Sequence, residues 1–344
     1  MSRVLVTGAS GMLGGAVADL LASRGDEVTV LQRRPSAAAH RQVLGDIADP
    51  DAVRRGVAGQ DAVVHLAAKV DVIGPWADYA RTNIEGTRVL VAVARAAGVC
   101  ALVQVSSPSV AHSGHSLVGA GAGPADPARA RGHYARSKAA AEVLALGADS
   151  PELAVTAVRP HLVWGPGDTQ LVGRIVQRAR AGRLAVVGAG TALVDTTYVD
   201  NAATAIVAAL DRIEHTAGSA YVITNGEPRP IGEIIGDICR ASGAPAPRRH
   251  VPYPLAWGAG ALMEGVVALS RRAPGMPTLT QPPMTRFLAE QLSTAHWFDL
   301  RETRRDLDWT PSVPLQRGLQ ALRTYPDQAR RLGRVSAMRG VDDQ

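Results

Sequence analysis

The chain has 344 residues and a mass of 35.9 kDa, with 46% hydrophobic and 20% charged residues, so it can bury a large core and is not disordered. Its two cysteines, Cys100 and Cys239, are too few for a disulfide scaffold or a cysteine-based metal site, and we expect no metal. The net charge of +6 comes from arginines that are spread along the chain with few aromatic residues, which argues against nucleic-acid binding.

The first half of the chain alternates short β-branched segments with longer alanine-rich ones. Strands are predicted at residues 3–8, 27–33, 61–67, 101–107, 153–160 and 219–225, and helices at 12–23 and 83–97. Because these strands have no polar face, they belong in a parallel sheet covered by helices on both sides. The predicted fold is α/β, a Rossmann-type doubly wound parallel sheet with a smaller C-terminal substrate lobe.

The sequence predicts three parts of the chain. We expect residues 1–160 to form the NAD(P)-binding Rossmann core, and residues 161–330 to complete that core and form the substrate-binding lobe. Residues 331–344 are predicted to form a flexible tail. Residues 112–132 are rich in glycine, proline, alanine and serine, which predicts a flexible loop.

Two features bear on the cellular location. The sequence enters a strand pattern at its first residues, which leaves no room for a signal peptide, and no apolar run reaches the length of a membrane span. Residues 255–269 are apolar except for Glu264. This segment predicts a helix packed in the small lobe, with a cover over an apolar substrate pocket or a weak contact with a membrane surface as alternatives. We therefore expect a cytoplasmic protein, either free or peripheral to a membrane.

The segment TGASGMLG follows the first strand and opens the first helix. Gly8 suits the tight turn, Gly11 allows the backbone to approach a pyrophosphate, and Gly14 allows the helix to pack closely on the strand. The helix N-terminus offers free N–H groups and a positive dipole end to phosphates. This pattern predicts a dinucleotide-binding turn, and its cofactor contacts come from Gly8, Ser10, Gly11, Met12, Leu13 and Gly14.

The end of the second strand bears on the choice of cofactor. An NAD enzyme usually has an acidic residue there, which binds the ribose 2′-hydroxyl. This chain instead has Arg33 and Arg34, whose guanidinium groups suit a 2′-phosphate. The sequence favours NADP(H), with NAD(H) as the alternative. Further residues expected at the cofactor are Asp46, Ile47, Ala67, Ala68 and Lys69.

A tyrosine and a lysine stand four residues apart in YARSK, which places Tyr134 and Lys138 on one helix face. An ammonium group beside a phenol favours the phenolate and lowers its pKa towards the range useful for acid–base catalysis. Lys138 is one of only two lysines in a chain with 35 arginines. The preceding strand ends in Ser106 and Ser107, followed by Ser109, and any of these hydroxyls could hold a substrate oxygen.

These motifs together resemble the extended short-chain dehydrogenases/reductases. The resemblance continues through HLAA (65–68), Asn83 in RTNIEGT, RPHLVWGPGD (159–168) and DTTYVDNAA (195–203), and so covers nearly the whole chain. It implies Ser107 as the ligand of the substrate oxygen, Tyr134 as the acid/base and Lys138 as its partner. Asn83, Tyr134, Lys138 and Pro160 are added to the expected cofactor contacts.

Within that superfamily the chain is most similar to the 3β-hydroxysteroid dehydrogenase-like branch, and in particular to the 2-alkyl-3-oxoalkanoate reductases. This likeness implies NADPH-dependent reduction of a 3-keto group on a hydrophobic substrate, and a homodimer. The alternatives are an NAD(P)-dependent sterol dehydrogenase, a nucleotide-sugar epimerase or dehydratase, and a cofactor-binding regulator without chemistry. The apolar segment 251–270 favours a hydrophobic substrate. If the substrate carries a carboxylate, His161, Arg286 and His296 are candidates to bind it.

Overall fold

The computed structural model describes residues 1–36, 39–71, 73–112, 114–270 and 284–325. The tail predicted at 331–344 lies outside these residues.

The strands and helices follow each other in the order that the sequence predicts for an α/β protein. The strands are β1 (Arg3–Thr7), β2 (Glu27–Gln32), β3 (Arg41–Leu44), β4 (Ala62–His65), β5 (Ala101–Val105), β6 (Leu117–Ala120), β7 (Ala154–Pro160), β8 (Val163–Trp164), β9 (Ala185–Val187), β10 (Leu193–Val194), β11 (Thr197–Tyr198), β12 (Ala220–Ile223), β13 (Arg229–Pro230), β14 (Arg249–Val251) and β15 (His296–Phe298). The helices are α1 (Met12–Ser23), α2 (Pro50–Val57), α3 (Trp76–Tyr79), α4 (Gly86–Ala96), α5 (Gly132–Leu146), α6 (Val172–Arg180), α7 (Val199–Asp211), α8 (Ile213–Thr216), α9 (Ile231–Ala241), α10 (Tyr253–Ser270), α11 (Arg286–Ser293) and α12 (Arg301–Leu307). A π-helical turn at Ala80–Glu85 joins α3 to α4, a 3₁₀ turn covers Pro108–Ala111, and residues 315–325 are helical.

The main sheet has seven parallel strands in the order β3-β2-β1-β4-β5-β7-β12. Both of its faces are buried, since Val4 and Val6 of β1 pack in the core that includes α1 and α7, while Leu5 packs in the core that includes α2 and α4. This confirms the doubly wound α/β fold. The strand order reverses between β1 and β4, where such sheets open a crevice for ligands at their carboxyl edge.

The smaller lobe is built on a second sheet of four strands in the order β13-β10-β15-β6, in which only the β10–β13 pair is antiparallel. A separate core joins α6 and α9 to the helical residues 315–325 and buries Trp164, Ile234 and Leu319. The second half of the chain also returns β12 to the main sheet, beside β7.

One sequence prediction in this region is wrong in part. Residues 112–132 were expected to form a loop, but they contain β6, which pairs in parallel with β15. The partner strand lies about 180 residues later in the chain, so no local pattern announces this pairing. The helix expected at 255–269 is confirmed as α10, and Leu255 and Leu262 on it are 66% and 69% exposed.

Candidate active site

A cavity of about 1270 Å³ lies at the carboxyl edge of the main sheet. Its walls come from the residues that directly follow β1, β4 and β5, from the first turns of α1 and α5, and from parts of the small lobe. The volume exceeds the ~300–1,000 Å³ that is usual for a pocket holding one small ligand. A cofactor and a substrate can therefore share this space.

The three glycines of the first turn each have a structural reason. Gly8 has a φ of +77°, and a Cβ there would lie 2.8 Å from the backbone nitrogen of Ala67. A Cβ on Gly14 would lie 2.4 Å from the carbonyl oxygen of Gly8, so only glycine lets α1 pack so closely on the turn. A Cβ on Gly11 would have a single neighbour within 4 Å, the carbonyl oxygen of Gly8 at 3.4 Å, so its outer side is open.

The N-terminus of α1 suits a cofactor phosphate. Gly11 is the N-cap residue, no side chain caps the helix, and its first turn carries no acidic residue. The first N–H groups of α1 are therefore free for an anion, and Gly11, Met12 and Leu13 line the cavity. Gly8, Ser10 and Gly14 line it as well. These observations fit a dinucleotide with its pyrophosphate at the helix end.

The two arginines after β2 differ in their position. Arg33 lines the cavity with Asp46 and Ile47, whereas Arg34 is exposed and does not line it. Although burial alone would raise it, the pKa of Asp46 is held below its usual value by the N–H of Ala48 and by nearby arginines, of which Arg81 is 2.9 Å away.

Asp19 on α1 also lines the cavity, and it pairs with His40 at 2.8 Å.

Lys69 and Asn83 hold the loop after β4, which brings Ala67 and Ala68 to the cavity. The side chain of Asn83 accepts a hydrogen bond from the Lys69 N–H at 2.7 Å and donates to the Lys69 carbonyl at 3.1 Å and to Ser137 Oγ at 2.8 Å. The Lys69 ammonium lies 2.9 Å from Asp71. Neither Lys69 nor Asn83 lines the cavity, so the structure gives them a bracing role between this loop and α5.

Ser107, Tyr134 and Lys138 all line the cavity, and so does Pro160 at the end of β7. Because α5 begins at Gly132, Tyr134 lies in its first turn and Lys138 lies one turn later. The Ser107 hydroxyl lies near the Tyr134 phenol and acts to lower its pKa. Ser107 Oγ accepts from the N–H and the hydroxyl of Ser109, at 3.3 and 3.0 Å, so the Ser107 hydroxyl can act as a donor to a further group.

The expected lowering of the Tyr134 pKa is not found in the protein alone. Burial raises the pKa of the Tyr134 phenol, and the nearby Ser107 hydroxyl opposes this only in part. Lys138 is 4% exposed, and its Nζ donates to the carbonyl oxygen of Val105 at 2.6 Å. Burial lowers the pKa of Lys138 to about 8, with the Glu142 carboxylate acting against it.

The part of the cavity beside the small lobe contains side chains that the sequence did not single out. Leu117 of β6, Phe287 of α11 and Phe298 of β15 give it apolar walls, and His112 and His161 each lie beside His296. No local signal marked Leu117 or His112, since both lie in the segment that was expected to be a loop.

Two expectations about substrate contacts do not hold in the structure. The side chain of Arg286 pairs with Glu264 at 2.7 Å and does not line the cavity. The described residues of segment 251–270 also stay outside the lining, so the apolar character of that segment says nothing about the substrate.

Over the described ranges, no helix combines the length and apolar character needed to cross a bilayer. Within the same ranges, no group of three or more histidine, cysteine, aspartate or glutamate side chains is arranged to hold a metal ion.

Comparisons with known proteins agree with this geometry. The profile of the NAD dependent epimerase/dehydratase family matches residues 4–224. The chain is 41% identical over 330 residues to the 2-alkyl-3-oxoalkanoate reductase of Stenotrophomonas maltophilia, covering 93% of this chain and 98% of that one. It is 29% identical to the 3-beta-hydroxysteroid dehydrogenase of Mycolicibacterium neoaurum, covering 95% of this chain and 92% of the relative. Among solved structures, MoeE5 in complex with UDP-glucose and NAD superposes with a TM-score of 0.71 at 23% identity, covering 95% and 99% of the two chains, which is a likeness of fold.

Proposed function

Since the chain belongs to the NAD dependent epimerase/dehydratase family of extended short-chain dehydrogenases/reductases and is an NAD(P)-dependent oxidoreductase, we propose that it reduces the 3-keto group of a 2-alkyl-3-oxoalkanoic acid with NADPH. The observation that carries the proposal is the meeting of Ser107, Tyr134 and Lys138 in one cavity with an uncapped helix N-terminus. The relative in Stenotrophomonas maltophilia, which bears the name of this activity, supports the choice of substrate.

The catalytic side chains have distinct tasks in this proposal. The reduced nicotinamide, when bound, supplies a hydride to the carbonyl carbon. The Ser107 hydroxyl donates a hydrogen bond to the carbonyl oxygen, and the Tyr134 hydroxyl transfers its proton to that oxygen. The Lys138 ammonium then stabilises the phenolate that remains on Tyr134, which lowers the barrier at the moment when charge appears there.

In this proposal, the phenolate is stabilised only after the proton has left Tyr134. In the protein alone, Lys138 donates to Val105, and burial keeps Tyr134 protonated. A protonated phenol is the form needed to deliver a proton to the substrate. The 2′-phosphate of NADPH would lie at Arg33, with the pyrophosphate at Gly11, Met12 and Leu13.

The proposal also covers the division of the chain, its cellular location and its oligomeric state. Residues 1–160 form the cofactor-binding core, and residues 161–330 complete it and supply the substrate lobe. We propose that the protein is cytoplasmic, since the free cysteines Cys100 and Cys239 suit a reducing compartment. We also propose that it forms a homodimer. Peripheral membrane contact would use the exposed leucines of α10.

Replacing Tyr134 with phenylalanine tests the proposed chemistry. We expect Tyr134→Phe to bind NADPH with nearly unchanged affinity and to lose at least ~100-fold in kcat, because general acid catalysis contributes ~10²–10⁴-fold. NADPH absorbance would be followed with a 2-alkyl-3-oxo acid, a 3-ketosteroid and a UDP-sugar in parallel, together with NADPH binding by fluorescence. A near-normal rate in the variant would refute the role of Tyr134, and turnover of the steroid alone would favour the sterol dehydrogenase alternative.

A further inference from the structure

Three buried histidines meet in the part of the cavity beside the small lobe, and the mechanism above does not use them. His112 follows the 3₁₀ turn that begins after Ser107, His161 follows β7, and His296 begins β15. Their exposed fractions are 2%, 7% and 2%, and all three line the cavity. The ring centroids lie 4.9 Å apart for His112 and His296 and 6.0 Å apart for His161 and His296.

The hydrogen bonds around His296 fix where its proton lies. Thr294 donates its only hydroxyl proton to the carbonyl oxygen of Glu290 at 2.7 Å, so its oxygen can only accept from His296 Nε2, which is 3.2 Å away. His296 Nε2 therefore carries a proton, and it also faces His112 Nε2 at 3.1 Å, which must be the acceptor. In its neutral form, His296 then has a bare lone pair on Nδ1.

Among the residues that the structure describes, neither this Nδ1 atom nor Nε2 of His161 has a hydrogen-bond partner, and both atoms are buried. Leaving a buried polar atom unpaired costs about 1–3 kcal/mol, and such atoms are rare in folded proteins. Within the described part of the chain, these three rings are not arranged as a metal-binding group. An anionic group in the cavity explains the cluster, because a proton taken up by the cluster would then have a partner.

Arg131 and Arg174 also line the cavity, and of these two only Arg131 pairs with a carboxylate of the described residues. Arg131 lies 2.9 Å from the carboxylate of Glu290, and Arg174 donates to Gln170 at 2.9 Å. At the catalytic end Lys138 is engaged with Val105. A substrate carboxylate placed beside the apolar walls of Leu117 and Phe298 has the histidines as neighbours that can still become charged.

We propose that His112, His161 and His296 form a carboxylate subsite that takes up one proton when the acid binds. This rests on the proposed function, since a 3-oxo acid carries its carboxylate two carbon atoms from the reacting carbonyl. The subsite would select the acid over a neutral ketone and would orient the 3-keto group towards Ser107 and Tyr134.

The electrostatics of the free protein set the direction of the pH effect. Burial lowers the pKa of His161 to about 3 and that of His296 to about 4, with the neighbouring histidines adding to the effect, so both rings are neutral above pH 6. Burial also lowers the pKa of His112, and the charges of Arg131 and His115 lower it further. The Glu290 carboxylate and a hydrogen bond with the His115 backbone act in the opposite direction and raise it.

One more titrating group lies behind β15. Asp195 accepts from the Phe298 N–H at 3.2 Å, and burial raises its pKa to about 6. Because the neutral cluster must gain a proton to hold the acid, the acid should bind more weakly as the pH rises.

The experiment compares a 2-alkyl-3-oxo acid with its methyl ester on the NADPH-loaded enzyme. We expect KM for the acid to rise from pH 6 to pH 8 by up to tenfold per pH unit, which is the limit for one linked proton, while KM for the ester stays flat. Calorimetric titration of the 3-hydroxy acid in two buffers of different ionisation enthalpy should show uptake of one proton, and none for its ester.

Variants distinguish binding of the carboxylate by the histidines from binding by Arg174. His296→Gln and His161→Gln cannot become charged, and each should raise KM for the acid at least tenfold and leave the ester unchanged. His215→Gln, an exposed histidine of α8, should change neither. Selective loss of the acid in Arg174→Gln, with the histidine variants unaffected, would assign the carboxylate to Arg174 and overturn the proposal.

The wild-type measurements keep the test decisive if a histidine variant fails to fold. Equal pH dependence of acid and ester, or no proton uptake, would refute the subsite while leaving the 3-keto reductase intact. If neither the acid nor the ester oxidises NADPH, the proposed function itself fails.

Discussion

Arg33 and Arg34 are neighbours in the sequence, yet only Arg33 lines the cavity. The sequence alone could name the pair, because both follow the strand at which NAD enzymes carry an acid. It could not choose between them, since the choice depends on how the chain turns after β2. The structure shows Arg33 on the same wall as Asp46, where the Arg33 charge contributes to the low pKa of that carboxyl.

This difference gives a matched pair of variants at the residue scale. We expect Arg33→Ala to weaken NADPH binding by ~10- to 100-fold, because a hydrogen bond to a charged group is worth about 1.5–3 kcal/mol. The same change should alter NADH affinity less than about twofold, and Arg34→Ala should change neither. Fluorescence titration of both cofactors measures this, and tighter binding of NADH than of NADPH by the wild type would contradict the preference for NADP(H).

At the scale of elements, the sequence predicts what short-range patterns specify. The segments expected at 3–8 and 12–23 appear as β1 (Arg3–Thr7) and α1 (Met12–Ser23), because a buried β-branched run and a glycine turn define them locally. The strand β6 was missed, since it exists through pairing with β15. The histidine cluster could not be predicted as a unit for the same reason, because its members come from three distant segments.

The turn between β1 and α1 offers a test in which two glycines have different readouts. Gly14→Ala should destabilise the fold by about 1–3 kcal/mol, because the new methyl group would overlap the carbonyl oxygen of Gly8 at 2.4 Å. Gly11→Ala should change stability by less than ~1 kcal/mol. It should nonetheless weaken NADPH binding. Its methyl group would lie on the open side of the turn, in the space that we assign to the pyrophosphate.

Urea denaturation and NADPH titration of the two variants separate these effects. A Gly11→Ala protein with wild-type affinity for NADPH would show that the pyrophosphate does not approach this turn. An unchanged unfolding free energy in Gly14→Ala would mean that α1 can shift away from β1 without loss.

On the scale of the whole molecule, the cavity is formed jointly by two parts of the chain that are each held by their own core. The first part supplies the residues after β1, β4 and β5 and the side chains of Tyr134 and Lys138 on α5, whereas β15 and α11 add His296, Phe298 and Phe287. Sequence motifs identified the first part because enzymes that bind this type of cofactor share the glycine turn and the tyrosine–lysine pair. The second part has no such fixed partner, and the apolar segment 251–270 drew attention to α10, whose described residues do not line the cavity.

The proposed homodimer can be tested on two exposed apolar surfaces. Enzymes of similar fold often associate through two helices of the sheet domain, and Val143 on α5 is 50% exposed there. We expect light scattering after gel filtration to give twice the chain mass of 35.9 kDa, and Val143→Arg to reduce it to the monomer, because a buried unpaired charge in an interface is strongly unfavourable. Leu262→Arg, on the exposed face of α10, serves as the control and should leave the dimer intact. Dissociation by Leu262→Arg instead would place the contact on α10, and a monomeric wild type would refute the dimer.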